Sequence, residues 1–155
     1  MDIFERLSFI PNIESLGYIM RSDILSALIK KTKLVITRSY SPFSKFPVGA
    51  CIMADNKCYY TGCNVENASF SLTICAESAA LVKMISHGGK KISFISIMSE
   101  NEDICPPCGA CRQRILEFST PDTKVILLDK NGTPKKIFTI EELLPISFSL
   151  SATNG

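Results

Sequence analysis

The chain has 155 residues, of which 46% are hydrophobic and 21% are charged, a composition typical of one globular domain and unlike that of disordered or fibrous proteins. Its formal net charge of +2 is too small to indicate a nucleic-acid partner or a membrane surface. No apolar run approaches the roughly 18 residues that a membrane-spanning helix requires, and the first residues lack the basic and apolar segments of a secretory signal.

Seven cysteines are the unusual feature of the composition. An odd number of cysteines in a chain without a secretory signal predicts a reduced, cytoplasmic protein. In that compartment, clustered cysteines indicate a metal site or a catalytic site rather than a framework of disulfides.

Hydrophobic periodicity and turn residues predict helices and strands that follow an N-terminal segment without a clear period. Residues 1–21 are expected to form an irregular extension, and residues 22–155 a single domain. Ser22 is the expected N-cap of the first helix. In chain order the predictions are a helix after Ser22 through Ile36, strands over 48–53 and 57–63, a helix over 75–86, a strand over 92–98, a helix over 108–118, strands over 124–129 and 136–139, and a helical turn over 140–144.

An initial hairpin, followed by helices that alternate with apolar strands, predicts an α/β fold. Because the hairpin is antiparallel and the later strands are separated by helices, the sheet is expected to be mixed. The expected architecture is a three-layer α/β/α sandwich with about five strands.

Three cysteines stand at the beginnings of two predicted helices. Cys75 begins one helix, while Cys108 and Cys111 begin another. Residues three apart lie on one helix face, so the last two sulfur atoms can converge on one ion. Unpaired N–H groups and the helix dipole also favour thiolates at these positions. Three protein ligands leave one position open, which is typical of catalytic rather than structural zinc.

A four-cysteine site is the alternative arrangement. Cys105 precedes Cys108 by three residues, so with Cys75 and Cys111 the set could close a structural zinc site or hold an iron–sulfur cluster. Such a site would indicate a non-catalytic metal-binding module. The two prolines before Cys108 disfavour it, because they make the segment extended and turn Cys105 away from the helical face.

Glu77 lies two residues after Cys75, in the same first helical turn. A carboxylate at this position could simply complement the helix dipole on a solvated face. Beside a metal-bound water it could instead act as a general acid and base. The two-part cysteine pattern favours the second interpretation.

The motifs at residues 75–77 and 107–111 resemble the zinc signature of the cytidine deaminase superfamily. Further segments look like those of small homotetrameric cytidine deaminases that act on free nucleosides, namely residues 46–50, 62–68, 111–113 and 142–148. Blasticidin S deaminases share the two zinc motifs but lack the full pattern of residues 64–67. They are the alternative within the superfamily.

The resemblance implies an enzyme that binds one Zn²⁺ per subunit through Cys75, Cys108 and Cys111. Its reaction would be the hydrolytic deamination of cytidine and deoxycytidine to uridine and deoxyuridine, with release of ammonia, in pyrimidine salvage. Glu77 would move the protons of the attacking water, one to the pyrimidine ring and one to the departing amine. The partners implied are a nucleoside substrate and further copies of the chain, in a homotetramer with pockets shared between subunits.

The resemblance also assigns residues to the substrate pocket. It implies that Asn64 and Glu66 hold the ribose hydroxyls and that Phe46 packs beside the nucleoside. It further implies that the Ala76 N–H binds O2 of the base and that the Pro106 carbonyl faces the leaving amine. Phe70 and Phe148 would complete the pocket of a neighbouring subunit.

One position near the zinc motif departs from the family pattern. Where the family commonly has Arg directly after the catalytic Glu, this chain has Ser78. Three thiolates around Zn²⁺ leave a formal charge of about −1, so the site needs positive charge nearby. We expect Arg112, which matches its family position, and the helix dipoles to supply it, while Ser78 donates one weak hydrogen bond.

Overall fold

A five-stranded mixed sheet lies between two layers of helices in the computed structural model, which describes residues 20–149. In chain order the elements are α1 (Ser22–Ile36), β1 (Val48–Ala54), β2 (Tyr59–Cys63), a 3₁₀ turn (Phe70–Leu72), α2 (Ala76–Ser86), β3 (Ile92–Ser99), α3 (Gly109–Glu117), β4 (Lys124–Leu128), β5 (Pro134–Phe138) and α4 (Ile140–Leu143). The predicted α/β class and the five-stranded mixed sheet are confirmed. Within the described residues, no helix is both long and apolar enough to cross a membrane.

The strand order places the ends of several strands at one edge of the sheet. The order is β2-β1-β3-β4-β5, in which β3 and β4 are parallel and every other neighbouring pair is antiparallel. At the start of β1, Val48 pairs with Ser99 at the end of β3, and Gly49 pairs with Cys63 at the end of β2. The loops before β1, after β2 and after β3 therefore meet at the same edge.

The two faces of the sheet bury separate apolar clusters, as strand alternation requires. On β1, Ala50 and Ile52 pack in the cluster that includes residues of α2 and α3. The intervening Cys51 and Met53 pack in the cluster that includes residues of α1. The helices therefore cover both faces, which confirms the expected three-layer sandwich.

Most predicted element boundaries shift by one or two residues in the structure. Ser22 is the first helical residue of α1 rather than its N-cap, and no side chain caps the helix at Arg21. Strand β2 begins at Tyr59, because Lys57 has a φ of 64° and belongs to the turn. Cys75 and Cys108 are the N-caps of α2 and α3 rather than their first helical residues.

Two further differences concern the N-terminal segment and the last strand. Strand β5 begins at Pro134, two residues before the predicted start. The predicted irregular extension over residues 1–21 lies outside the described residues except for Met20 and Arg21. Met20 is only 2% exposed and belongs to the α1 cluster, so the packed part of the chain begins before the predicted boundary.

Candidate metal centre and active site

Three cysteine side chains come together at the sheet edge where the loops meet. Cys75 ends the loop after β2 and caps α2, while Cys108 ends the loop after β3 and caps α3. Cys111 lies in the first turn of α3 and is fully buried. The three sulfur atoms lie within 4.8 Å of one another, and the Sγ atoms of Cys75 and Cys108 are 3.9 Å apart.

This cluster has the dimensions and the chemistry of a zinc site. Tetrahedral coordination with Zn–S bonds of about 2.3 Å places two sulfur ligands roughly 3.8 Å apart, close to the observed separation of Cys75 and Cys108. Thiolates are ligands that Zn²⁺ prefers, and helix N-termini favour the thiolate form. Three ligands leave a fourth position for water or substrate.

Cys105 does not belong to the metal cluster. Among residues 20–149, the group of sulfur atoms that could hold one ion consists of Cys75, Cys108 and Cys111. Cys105 lines the adjoining cavity instead, and burial there raises the pKa of its thiol to about 11. The geometry therefore disfavours the four-cysteine alternative.

Glu77 is buried beside the cluster rather than exposed on a helix face. Its side chain belongs to the first turn of α2, and the residue is 5% exposed. Burial raises the pKa of its carboxyl above the ordinary value, while the positive charge of Arg114 acts in the opposite direction. The interpretation of Glu77 as a solvated dipole-complementing residue is therefore wrong.

A cavity of about 220 Å³ opens next to the cluster and contains several of the residues singled out from the sequence. Ala76 is the first residue of α2, where backbone N–H groups have no partner within the helix, so its N–H is available to a ligand. Val48, Thr73 and Cys105 also line the cavity but were not predicted. The lining consists of Phe46, Val48, Asn64, Thr73, Cys75, Ala76, Glu77, Cys105, Pro106 and Cys108.

The side chain of Asn64 holds the loop that carries Phe46. Its Oδ1 accepts hydrogen bonds from the Val48 N–H (2.8 Å) and from the Ser39 hydroxyl. Its Nδ2 donates to the Phe46 carbonyl (2.9 Å). Because the amide has two hydrogens, one remains for a ligand in the cavity.

Glu66 binds the same loop but is not among the residues that line the cavity. Its Oε2 accepts from the N–H groups of Phe43 (2.9 Å) and Ser44 (3.2 Å), and its Oε1 accepts from the Ser44 hydroxyl. The Ser44 hydroxyl and these backbone groups hold the pKa of the Glu66 carboxyl below its ordinary value. Glu66 therefore fixes the loop as an ionised acceptor.

Phe70 and Phe148 are exposed and lie outside the cavity lining. They are 72% and 71% exposed, respectively, so ordinary core packing does not explain either residue. Phe70 meets Phe43 edge-on, with ring centroids 5.8 Å apart. The Phe148 carbonyl accepts a hydrogen bond from Gln113 Nε2 at 2.9 Å, which ties the C-terminal segment to α3.

Two arginines of α3 differ in what they contact. Arg112 donates to the carbonyls of Pro107 and Leu143, each at 2.8 Å, and so supports the turn that carries Cys108. Arg114 donates to Ser78 Oγ at 3.1 Å, and the same oxygen lies 3.6 Å from Cys111 Sγ. Arg114 was not singled out from the sequence, although its position three residues after Cys111 places it near the same helix face.

Comparison with known proteins identifies the family. The sequence model described as the cytidine and deoxycytidylate deaminase zinc-binding region matches residues 22–127, which include all three clustered cysteines. The cytidine deaminase of Mycoplasma genitalium is 38% identical over 128 residues, covering 82% of this chain and 97% of the relative. The cytidine deaminase of Sporosarcina psychrophila is 39% identical over 122 residues, covering 79% and 89%.

Solved structures agree with the sequence comparison. The crystal structure of cytidine deaminase from Burkholderia pseudomallei superposes with a TM-score of 0.74 at 35% identity, covering 79% of this chain and 98% of that chain. Cytidine deaminase from Mycobacterium leprae superposes with a TM-score of 0.68 at the same identity, covering 77% and 96%. The chain therefore belongs to the cytidine deaminase family of zinc-binding proteins.

Proposed function

We propose that this protein catalyses the zinc-dependent hydrolytic deamination of cytidine and deoxycytidine to uridine and deoxyuridine, with release of ammonia. The observation that carries the proposal is the buried Glu77, which lines one cavity together with Cys75 and Cys108 of the cysteine cluster. Family relatives named cytidine deaminase support the choice of substrate. The reaction would serve pyrimidine salvage in the cytoplasm.

Cys75, Cys108 and Cys111 would hold one zinc ion per subunit. When bound, zinc lowers the pKa of a coordinated water and so supplies a nucleophile near neutral pH. Glu77 would accept the first proton of the attacking water and deliver it to N3 of the pyrimidine. It would then take the remaining proton of the oxygen added at C4, as the carbonyl forms there, and give it to the departing amine, which leaves as ammonia. Burial suits this role, because it moves the pKa of the carboxyl towards the working pH.

The cavity residues orient the nucleoside in this proposal. The Ala76 N–H binds O2 of the base, and the Pro106 carbonyl faces the leaving amine. Phe46 packs beside the nucleoside, while Asn64 and Glu66 hold the ribose hydroxyls. Asn64 uses its free amide hydrogen for this purpose, since its other polar atoms bind the loop. Glu66 is proposed to act from the edge of the pocket.

The active assembly is proposed to be a homotetramer in which subunits share pockets. Phe70 and Phe148 are large apolar side chains that stand exposed on the single chain. Phe70 contacts the exposed ring of Phe43, and contiguous exposed apolar side chains are typical of surfaces that another protein covers. We infer that each completes the pocket of a neighbouring subunit.

The role of Glu77 is tested by the substitution Glu77→Gln, which keeps the size of the side chain but removes the proton acceptor. The variant should retain zinc, and its rate of deamination should fall by about 10²–10⁴-fold. Glu117→Gln, on the exposed end of α3, is the matched control and should keep full activity. Absorbance of cytidine gives the rate, and metal analysis gives the zinc content. Full activity of Glu77→Gln would show that the carboxyl does not transfer the proton.

The substrate is tested with a panel of amines measured by loss of ultraviolet absorbance. Cytidine and deoxycytidine should be converted, whereas blasticidin S and free cytosine should be poor substrates. Turnover of blasticidin S but not of cytidine or deoxycytidine would indicate that the protein has the activity of a blasticidin S deaminase. No turnover of any of these compounds by the zinc-loaded protein would favour a non-catalytic metal-binding module.

A further inference from the structure

Ser78 lies between a positive charge and a metal-binding sulfur. The residue follows Glu77 on α2 and is 7% exposed. Its Oγ lies 3.1 Å from Arg114 Nη1 and 3.6 Å from Cys111 Sγ. Both neighbours belong to α3, so the hydroxyl connects the two helices that carry the cysteines.

The chemistry of the three groups fixes the direction of the hydrogen bonds. A guanidinium has donors and no acceptor, so the serine oxygen must accept from Arg114. A thiolate has no hydrogen to donate, so the sulfur of Cys111 can only accept once a metal is bound. The single hydroxyl hydrogen of Ser78 is thereby directed to that sulfur.

The cluster requires such a partner because three thiolates outweigh the charge of one Zn²⁺. Hydrogen bonds to ligating groups offset excess negative charge and orient the ligands. Arg112 binds the carbonyls of Pro107 and Leu143 instead of a sulfur. The chain from Arg114 through Ser78 to Cys111 is the hydrogen-bonded route by which an arginine of α3 reaches the cluster.

We propose that Arg114 is a positioning residue of the zinc centre that acts on Cys111 through the Ser78 hydroxyl. The arginine polarises the hydroxyl, and the polarised hydroxyl stabilises the Cys111 thiolate in its zinc-binding orientation. The inference rests on zinc binding at the cluster and on no particular substrate. It assigns to α3 both a zinc ligand and the cation that supports that ligand.

The test is the zinc affinity of variants, measured by competition with a chromophoric chelator of known affinity. Arg114→Ala and Ser78→Ala should each weaken zinc binding by about 10–100-fold, the usual effect of removing a partner of a metal ligand. The double variant should bind zinc no more weakly than whichever single variant has the lower zinc affinity, because both substitutions interrupt the same chain of hydrogen bonds. Arg114→Lys keeps the charge and should retain part of the affinity.

Lys83→Ala is the control for loss of a positive charge. Lys83 is exposed on α2, the helix that carries Ser78, and its removal should leave zinc affinity unchanged. Thermal unfolding of the zinc-free proteins separates the proposal from a merely structural role, since Arg114→Ala should unfold at nearly the wild-type temperature. Should Ser78→Ala fail to fold, Arg114→Ala and Arg114→Lys still decide the matter.

Three results would overturn the proposal. The first is wild-type zinc affinity in Arg114→Ala, and the second is additive losses in the double variant. The third is an equal loss of affinity in Lys83→Ala, which would indicate a general charge effect. Because the measurement uses no nucleoside, its outcome does not depend on whether cytidine is the substrate.

Discussion

At the scale of single residues, Asp129 organises the turn between β4 and β5 with one carboxylate. Its Oδ1 accepts from the N–H groups of Asn131 (2.9 Å) and Thr133 (2.8 Å), and its Oδ2 lies 3.4 Å from Lys135 Nζ. Burial alone would raise the pKa of this carboxyl. The hydrogen bonds from Thr133 and Asn131, together with Lys135, outweigh burial and lower the pKa below the ordinary 3.8.

A lowered pKa in the folded state makes the contribution of Asp129 to stability dependent on pH. The contribution is fully present above the ordinary value of 3.8 and is lost as the pH falls through the lower value of the folded protein. Asp129→Asn should therefore lower the free energy of unfolding by about 1–2 kcal/mol near pH 7. The difference from wild type should shrink once the pH falls below 4, as measured by urea unfolding.

Asp122→Asn is the control for this pH series. Asp122 is exposed in the turn before β4, so its substitution should change the free energy of unfolding little at any pH. Comparison with wild type at each pH removes effects common to all three proteins, including release of zinc in acid. A constant difference between Asp129→Asn and wild type down to pH 2 would contradict the prediction.

The chemistry of the site was predictable from the sequence where the types and the spacing of neighbouring residues indicated it. The three-residue spacing of Cys108 and Cys111 indicated that both sulfur atoms lie on one helix face, and the preference of thiolates for helix N-termini suggested a site shared with Cys75. The loop contacts of Asn64 and the contact of Arg114 with Ser78 depend on distant parts of the chain. Local sequence patterns hold no information about such pairs, so both were missed.

At the scale of elements, the close approach of β2 to α2 depends on one glycine. A Cβ added to Gly62 would lie 2.3 Å from the Ala76 carbonyl oxygen and 2.4 Å from the Ala80 nitrogen. Both are backbone atoms of α2, which a side-chain rotation cannot move. Helix α2, which begins at Ala76, therefore keeps its place only if β2 presents no side chain there.

Gly62→Ala should destabilise the protein by at least about 3 kcal/mol, at the upper end of the cost of overpacking. It should also reduce zinc retention, because α2 must move away from α3. Gly109→Ala is a matched control, since a Cβ at Gly109 meets no atom within 4 Å. Thermal unfolding and metal analysis measure both effects. Equal melting temperatures of the two variants would contradict the proposed close approach.

The kinds and order of the elements were predictable, while some of their limits were not. Apolar periodicity distinguishes helix from strand over seven or more residues, and it identified α1 as a helix, although it placed Ser22 at the N-cap rather than inside the helix. It does not reveal backbone angles, so the positive φ of Lys57 was missed. Strand order depends on pairing between distant segments and could not be derived from periodicity.

At the scale of the whole molecule, the proposed sharing of pockets between subunits predicts that two inactive variants can complement each other. Glu77→Gln removes the proton acceptor from its own pocket, and Phe70→Ser removes the side chain proposed to complete a neighbouring one. Coexpressed subunits would form some pockets with an intact Glu77 and an intact neighbouring Phe70. The mixed protein should therefore regain deaminase activity that neither variant has alone.

Coexpression of Glu77→Gln with the double variant Glu77→Gln/Phe70→Ser is the control and should give no activity. Light scattering during size-exclusion chromatography should give four times the mass of the chain for the wild type. An active wild type with the mass of one chain would contradict the shared pocket. So would a mixed tetramer without recovered activity.

The position of the cysteines at two helix starts also has a consequence for folding. Cys75 and Cys108 are 33 positions apart, and the intervening chain contains α2 and the central strand β3. An ion held by both residues acts as a cross-link that closes this long segment, which reduces the freedom of the unfolded chain as a disulfide does. Such a metal-dependent cross-link would be reversible under reducing conditions, because it forms or opens with the supply of metal.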